Sequence, residues 1–287
     1  MFKSKIAENI LAEHLINNGA VSFLTERPMR LKSGLITPIY VDNRRLTAVP
    51  EAWRDILETM ATKVVELGLE FDIVAGVEGA GVSHAAALAY RLNKPSIFVR
   101  QAAKTYGNKS RVEGCDIAGK RVLLIEDHIS TGLSLLSAVE GLKAEGATVT
   151  DCLAITSFGI DETNKLFEKQ QVRCHEMIDF TKVIDKAIEL GTISADKKEV
   201  LNDWLANPWT WAARHALTPM DNENKFPSIG LNSPAFFENA RGTVERSALR
   251  KQRSFFASSA RRREDQPHTL PNDKREILIS FLVELIR

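Results

Sequence analysis

Glu126 and Asp127 stand side by side, and a short run rich in hydroxyls follows them: His128-Ile129-Ser130-Thr131-Gly132-Leu133-Ser134. Adjacent carboxylates repel, so a site that keeps them together wants a cation or several hydroxyl donors nearby. Ser130, Thr131, Gly132 and Ser134 read as a turn that opens a helix. The free backbone N–H groups and positive dipole end of such a turn suit a phosphate. An acid pair and a phosphate cradle a few residues apart match a ligand with ribose hydroxyls and a 5′-phosphate. The same spacing also suits a capped helix after a strand, with both acids turned to solvent.

The surrounding elements must hold this run at one place. Residues 121–125 (RVLLI) read as a strand ending at the acid pair, and residues 133–145 have helical spacing. Upstream, Ile6, Ile10, Leu11, Leu15 and Ile16 share one face of a helix over 4–18, with Asn18-Gly19 as its stop. Residues 21–40 are rich in β-formers but broken by Pro28, Gly34 and Pro38, which predicts several short strands. A helix over 51–67 leads to a strand over 71–77, a helix over 80–92 and a strand over 95–100. A further strand is expected over 148–156, and 178–211 reads as helical, with Trp204, Trp209 and Trp211 as packing residues. Helices alternating with short buried strands predict an α/β fold with a mainly parallel sheet covered on both faces. Ligands of such sheets bind beyond the carboxyl ends of the strands, here just after Val77, Arg100 and Ile125.

Composition narrows the class further. With 38 basic and 37 acidic side chains the net charge is +1, which excludes a large uniform field for gathering nucleic acid or anionic membrane. The apolar fraction of 44% is globular. The longest apolar run, residues 277–286, is interrupted by Ser280 and Glu284 and is too short to span a bilayer. Glu8 and Glu13 fall where a signal peptide needs its apolar stretch. Cys115, Cys152 and Cys174 are odd in number and scattered, without metal or disulfide spacing, and His14, His175 and His215 add no metal pattern. A soluble, cytoplasmic protein without a membrane or nucleic-acid partner is expected. His84 sits in an apolar helix and reads as packed, whereas His128 is open between packing and ligand contact. Beyond about residue 217, Asn, Pro, Ser and Arg dominate, with a triplet at Arg261-Arg262-Arg263. That composition predicts a solvated, partly disordered tail, closing on a short helix capped at Asn272 or Asp273.

Residues 122–134 (VLLIEDHISTGLS) resemble the phosphoribosyl pyrophosphate signature of type I phosphoribosyltransferases, with His128 where that signature usually has an aliphatic residue. Residues 31–44 (LKSGLITPIYVDNR), 72–89 (DIVAGVEGAGVSHAAALA) and 98–114 (FVRQAAKTYGNKSRVEG) resemble the hood segment, pyrophosphate loop and mobile catalytic loop of orotate phosphoribosyltransferases. The likeness runs over about residues 1–212 with order and spacing intact. It implies a type I phosphoribosyltransferase domain over 1–212, with a small N-terminal hood from about 1–45 and a C-terminal extension over 213–287.

The activity it implies is transfer of ribose 5-phosphate from phosphoribosyl pyrophosphate to orotate. Magnesium would be carried by the substrate, with no protein ligand of its own, and the site would be shared across a homodimer. Glu126 and Asp127 would hold the ribose hydroxyls, with His128, Ile129 and the turn Ser130, Thr131, Gly132, Leu133 and Ser134 around the phosphate. Val77, Glu78 and Gly79 would offer backbone donors to pyrophosphate, which Arg100 and Lys104 would also meet. Lys32, Tyr40 and Ser130 would border orotate. Lys104, Arg100, Tyr106 and Asp127 form the implied catalytic set. Two positions depart from the family pattern. Tyr106 stands where a loop histidine is usual, and Phe158 where some members carry an orotate-binding arginine. Two alternatives follow from these departures and from the tail: a different acceptor base, or a weakly active sensor of a phosphoribosyl ligand that recruits a partner through the tail.

Overall fold

The computed structural model describes residues 2–102 and 110–215, with side chains from residue 7 onward. The expected tail and its terminal helix lie outside the described residues.

The chain opens with helix α1 (Phe2–Asn17), then four short strands: β1 (Val21–Phe23), β2 (Met29–Arg30), β3 (Ile36–Thr37) and β4 (Ile39–Val41). β1 pairs with β4 and β2 with β3, both antiparallel, giving the two small sheets of the hood. A 3-10 turn over Asn43–Ala48 leads into α2 (Pro50–Glu66), with Pro50 at the first helical position, where its missing N–H loses nothing. The main body follows as β5 (Ile73–Val77), α3 (Ala80–Arg91), β6 (Ser96–Val99), β7 (Val112–Glu113), β8 (Arg121–Ile129), α4 (Leu133–Ala144), β9 (Thr148–Ser157), α5 (Asp161–Lys169) and β10 (Arg173–Asp179). The closing helices are α6 (Phe180–Glu189), α7 (Lys197–Ala206) and α8 (Pro208–Arg214).

The main sheet has the order β10-β9-β8-β5-β6-β7 and is parallel except for the short edge strand β7. Successive residues of its central strands sort onto two faces. Val74, Leu123, Leu153 and Met177 pack with Leu15 of α1, Met60 of α2, Leu88 of α3 and Val183 of α6. Ile73, Leu124, Cys152 and Ala154 pack with Leu135, Val139 and Leu142 of α4 and Phe167 of α5. Burial on both faces explains why these strands read as continuous apolar runs rather than alternating ones.

Three features of this layer differ from the sequence expectation. β7, α5 and β10 were not foreseen. β10 (RCHEMID) is an edge strand, and its charged, partly exposed residues hide the β signal while protecting the edge from further pairing. The stretch 178–211 is not uniformly helical. It completes β10 and then breaks into three helices, at Gly191, which adopts φ 69°, and at the Asn207-Pro208 junction. Trp204 and Trp211 are fully buried, but Trp209 is 50% exposed and is not a core residue. Trp204 Nε1 donates to Ile36 O at 2.9 Å, tying α7 to the hood. Among the described residues no helix is long and apolar enough to cross a membrane.

Candidate active site

The acid pair lies inside β8, not beyond its end. Pairing with β9 continues through Glu126↔Ala154, His128↔Thr156 and Ile129↔Ser157, so the expected strand end at Ile125 is four residues short. Apolar patterning stops at Ile125 because Glu126 and Asp127 line a cavity, although Ile129 returns to the core. That cavity has a volume of about 220 Å³ and is lined by Glu78, Ala80, Gln101 and the whole run Glu126–Leu135.

At one wall, Glu126 is 8% exposed and its Oε1 accepts the Asp127 backbone N–H at 3.0 Å. Burial pushes both carboxyls above their ordinary range, and Asp127 adds its charge to the effect on Glu126. Among the described residues neither forms an ion pair, so the two carboxyls share a buried wall with no cationic partner. At the opposite wall, Ser130–Gly132 turn into α4, with Gly132 at φ 72° as the residue before the helix. The first-turn N–H groups of α4 have no intrahelical partner and open onto the cavity. The hydroxyls of Ser130, Thr131 and Ser134 make no hydrogen bond within the described residues, which leaves them available to a ligand.

The third wall is the β5–α3 loop. Val77 is the buried last residue of β5, and Gly79 adopts φ 116°, a conformation that L side chains rarely reach. The Glu78 N–H donates to Val99 O at 2.9 Å, so the donor expected there for pyrophosphate is already engaged. Glu78 Oε2 accepts the Gln101 N–H at 2.8 Å and holds the segment after β6 against the loop. Gln101, rather than Arg100, lines the cavity. Arg100 donates its N–H to Arg111 O at 2.8 Å, and its guanidinium lies 3.8 Å from Glu113.

Lys32 is exposed in the β2–β3 turn and Tyr40 is half-buried on β4; neither is among the lining residues. Burial, reinforced by Asp42, pushes the Tyr40 phenol up, so it is neutral. Lys104 and Tyr106 lie outside the described residues.

Two groups that sequence reasoning assigned no role or left open hold the site from behind. Asn43, fully buried just after β4, donates through Nδ2 to Asp127 O at 2.7 Å and Thr156 Oγ1 at 3.3 Å. The only sequence signal for it was its place inside the hood motif. His128 Nδ1 shares a 2.9 Å hydrogen bond with the same Thr156 hydroxyl, and burial pushes the imidazole down to about 3. It is therefore a neutral, packed ring, with its centroid 4.3 Å from Phe158 at an interplanar angle of 78°. Phe158 is itself 6% exposed, against Phe180 at 5.1 Å and Trp204 at 4.7 Å. His84 is buried as expected, and burial lowers it to about 4.

Because Asn43 bridges the hood to the acid pair, Asn43→Ala leaves the Asp127 carbonyl without this donor. Such a loss costs about 1–3 kcal/mol. The expected outcome is a lower urea midpoint together with reduced turnover, measured on one preparation.

A parallel sheet with an acid pair facing an open helix N-terminus across a small cavity defines a phosphoribosyltransferase, and the model of the phosphoribosyl transferase domain matches residues 43–189. The relatives narrow this, and the chain belongs to the orotate phosphoribosyltransferase family. It is 39% identical over 201 residues to the orotate phosphoribosyltransferase of Coxiella burnetii, covering 70% of this chain and 96% of that one. The Bacillus subtilis enzyme is 33% identical over 71% of this chain and 95% of its own length. Among solved structures, the Aeropyrum pernix orotate phosphoribosyltransferase superposes with a TM-score of 0.54 at 28% identity, over 63% of this chain and 99% of that one. The Leishmania donovani UMP synthase superposes with a TM-score of 0.60 at 25% identity over 69% of this chain, which spans 42% of that longer protein.

Proposed function

We propose that the chain transfers ribose 5-phosphate from phosphoribosyl pyrophosphate to N1 of orotate, giving orotidine 5′-monophosphate and pyrophosphate for pyrimidine synthesis. The observation that carries this reading is the cavity itself. The buried pair Glu126 and Asp127 faces the unpartnered first turn of α4 across about 220 Å³.

In this reading the two carboxylates accept the ribose hydroxyls. The N–H groups and hydroxyls from Ser130 to Ser134 hold the 5′-phosphate, with His128 and Ile129 fixing the strand behind them. The C1′–pyrophosphate bond breaks as the N1–C1′ bond forms, and negative charge gathers on the departing group. Gly79, the Val77–Glu78 loop and Arg100 border that charge. Lys104 and Tyr106 reach it from the neighbouring subunit of a homodimer. Preorganised donors aimed at developing charge are the largest resource of such a site. Lys32, Tyr40 and Ser130 border orotate.

No cluster of three or more His, Cys, Asp or Glu side chains able to hold a metal occurs among the described residues. Two carboxylates alone fit an ion held mainly by substrate oxygens, as Mg²⁺ usually is. When bound with the substrate, Mg²⁺ would neutralise charge on the pyrophosphate. The protein works in the cytoplasm on small soluble substrates.

The test is loss of orotate absorbance with phosphoribosyl pyrophosphate and Mg²⁺, for the native chain and for Tyr106→His. A charge-assisted contact is worth about 1.5–3 kcal/mol, or roughly 10–100-fold in rate. Turnover by the native chain is expected, and faster turnover by Tyr106→His. Silence of both proteins towards orotate, with consumption of another base, would sink the reading. That second acceptor is favoured by one observation only: buried Phe158 offers no charge to the orotate carboxylate. A competition screen of bases decides between the two.

A further inference from the structure

Cys152 and Cys174 occupy directly paired positions on the adjacent parallel strands β9 and β10, and their sulfurs are 2.9 Å apart. Paired residues on neighbouring strands have Cα atoms about 4.8 Å apart, inside the window of about 4.4–6.8 Å that a disulfide accepts. The sulfurs therefore need to approach by less than 1 Å to bond at about 2.05 Å. Cys152 is fully buried among α4 and α5 side chains, whereas Cys174 is partly exposed on the edge strand. Cys174 is thus the member of the pair that solvent can approach, with Cys152 behind it. The third cysteine, Cys115, is exposed and is not part of the pair.

We propose that Cys152 and Cys174 form a thiol-oxidation site that closes to an intrachain disulfide when a small disulfide compound attacks from the β10 edge. The Cys174 thiol gives up its proton and its sulfur attacks one sulfur of the small disulfide. That S–S bond breaks and one small thiol leaves. The Cys152 sulfur, losing its own proton, then attacks Cys174 Sγ in the mixed disulfide, and the second small thiol departs. Two protein thiols are oxidised and one small disulfide is reduced to two thiols, so electrons and protons balance. Burial pushes the Cys152 thiol well up, which makes this second step slow and speeds it with rising pH.

The site is separate from the transferase cavity, and it stands whichever base the enzyme accepts. Its bond would fasten the edge strand β10 to β9, the strand that carries Thr156 behind His128.

The experiment exposes the reduced full-length chain to oxidised glutathione at pH 8. Free thiols are then alkylated under denaturing conditions, the peptides mapped by mass, and the melting temperature recorded. The expected result is a peptide pair joined through Cys152 and Cys174, 2 Da lighter than its reduced parts, and restored by dithiothreitol. Closing a loop of this length should raise the melting temperature by about 5–10 °C. Cys174→Ser should lose both the link and the shift. A glutathione adduct that stays on Cys174, recovery of all three thiols, or a link that joins Cys115 instead would each overturn the proposal.

Discussion

Glu126→Gln should raise the melting temperature of the free protein and, in the same variant, cut kcat/KM for phosphoribosyl pyrophosphate by about 10–100-fold. The two effects share one cause. Glu126 is 8% exposed, and burial together with Asp127 holds its carboxyl well above the usual range. An acid raised in this way binds its proton more tightly folded than unfolded, so ionisation works against the native state. The penalty is absent below the unfolded value near 4.3, grows as pH rises, and levels off above the folded value. Each unit of separation costs about 1.4 kcal/mol, and a domain of this size shifts by about 2–4 °C per kcal/mol. Glutamine keeps the Oε1 that accepts the Asp127 N–H and removes the charge. The gain in melting temperature should therefore be largest near pH 8 and vanish near pH 4. In the proposed reaction, the variant loses a charged acceptor for a ribose hydroxyl. Calorimetry from pH 4 to 8 beside initial rates checks both halves. A lower melting temperature at pH 8 would mean that the free protein already compensates this charge. Unchanged kcat/KM would remove Glu126 from the site.

The residues that line the cavity were the most legible part of this chain, because their types fit so few kinds of chemistry. Hydroxyls, acids and glycine between a strand and a helix admit few uses. What supports them was harder to read. Asn43 acts through a fold that brings it against Asp127, 84 positions away in sequence, and its type alone says nothing about that contact. Thr156 looked like the end of a strand, yet its hydroxyl joins Asn43 and His128. The central strands were visible as apolar runs because both their faces are buried. β10 was invisible because an edge strand carries charges, and Gly191 and Pro208 marked helix breaks that the overall helical composition of 178–211 concealed. His128 shows the limit most directly. Sequence left it open between packing and phosphate contact, and only its neighbours Thr156 and Phe158 decide for a neutral, packed ring.

Gly132→Ala carries the second large effect, through backbone strain and close packing at once. Gly132 adopts φ 72°, where an L side chain costs about 1–2 kcal/mol. A Cβ there would also lie 2.6 Å from Thr163 Cγ2 and 2.8 Å from Phe167 Cζ, the latter a buried ring under α4. Overpacking of this kind typically costs about 1–3 kcal/mol. The sum, about 2–5 kcal/mol, is a large share of a typical total of about 5–15 kcal/mol. The melting temperature should fall by roughly 5–15 °C. Relief of the clash tilts the first turn of α4 away from the cavity, so KM for phosphoribosyl pyrophosphate should rise more than kcat falls. The two causes can be separated. Thr163→Ser removes the nearer methyl and leaves the left-handed backbone, so Gly132→Ala with Thr163→Ser should recover part of the stability. Gly132→Asn tolerates the left-handed region but keeps a Cβ against Phe167, so it should recover a different part. The expected order of stability is the native chain, then either compensated variant, then Gly132→Ala alone. A Gly132→Ala protein as stable as the native chain, with an unchanged KM, would show that the cradle does not depend on this residue, and the phosphate would have to be sought elsewhere along the turn.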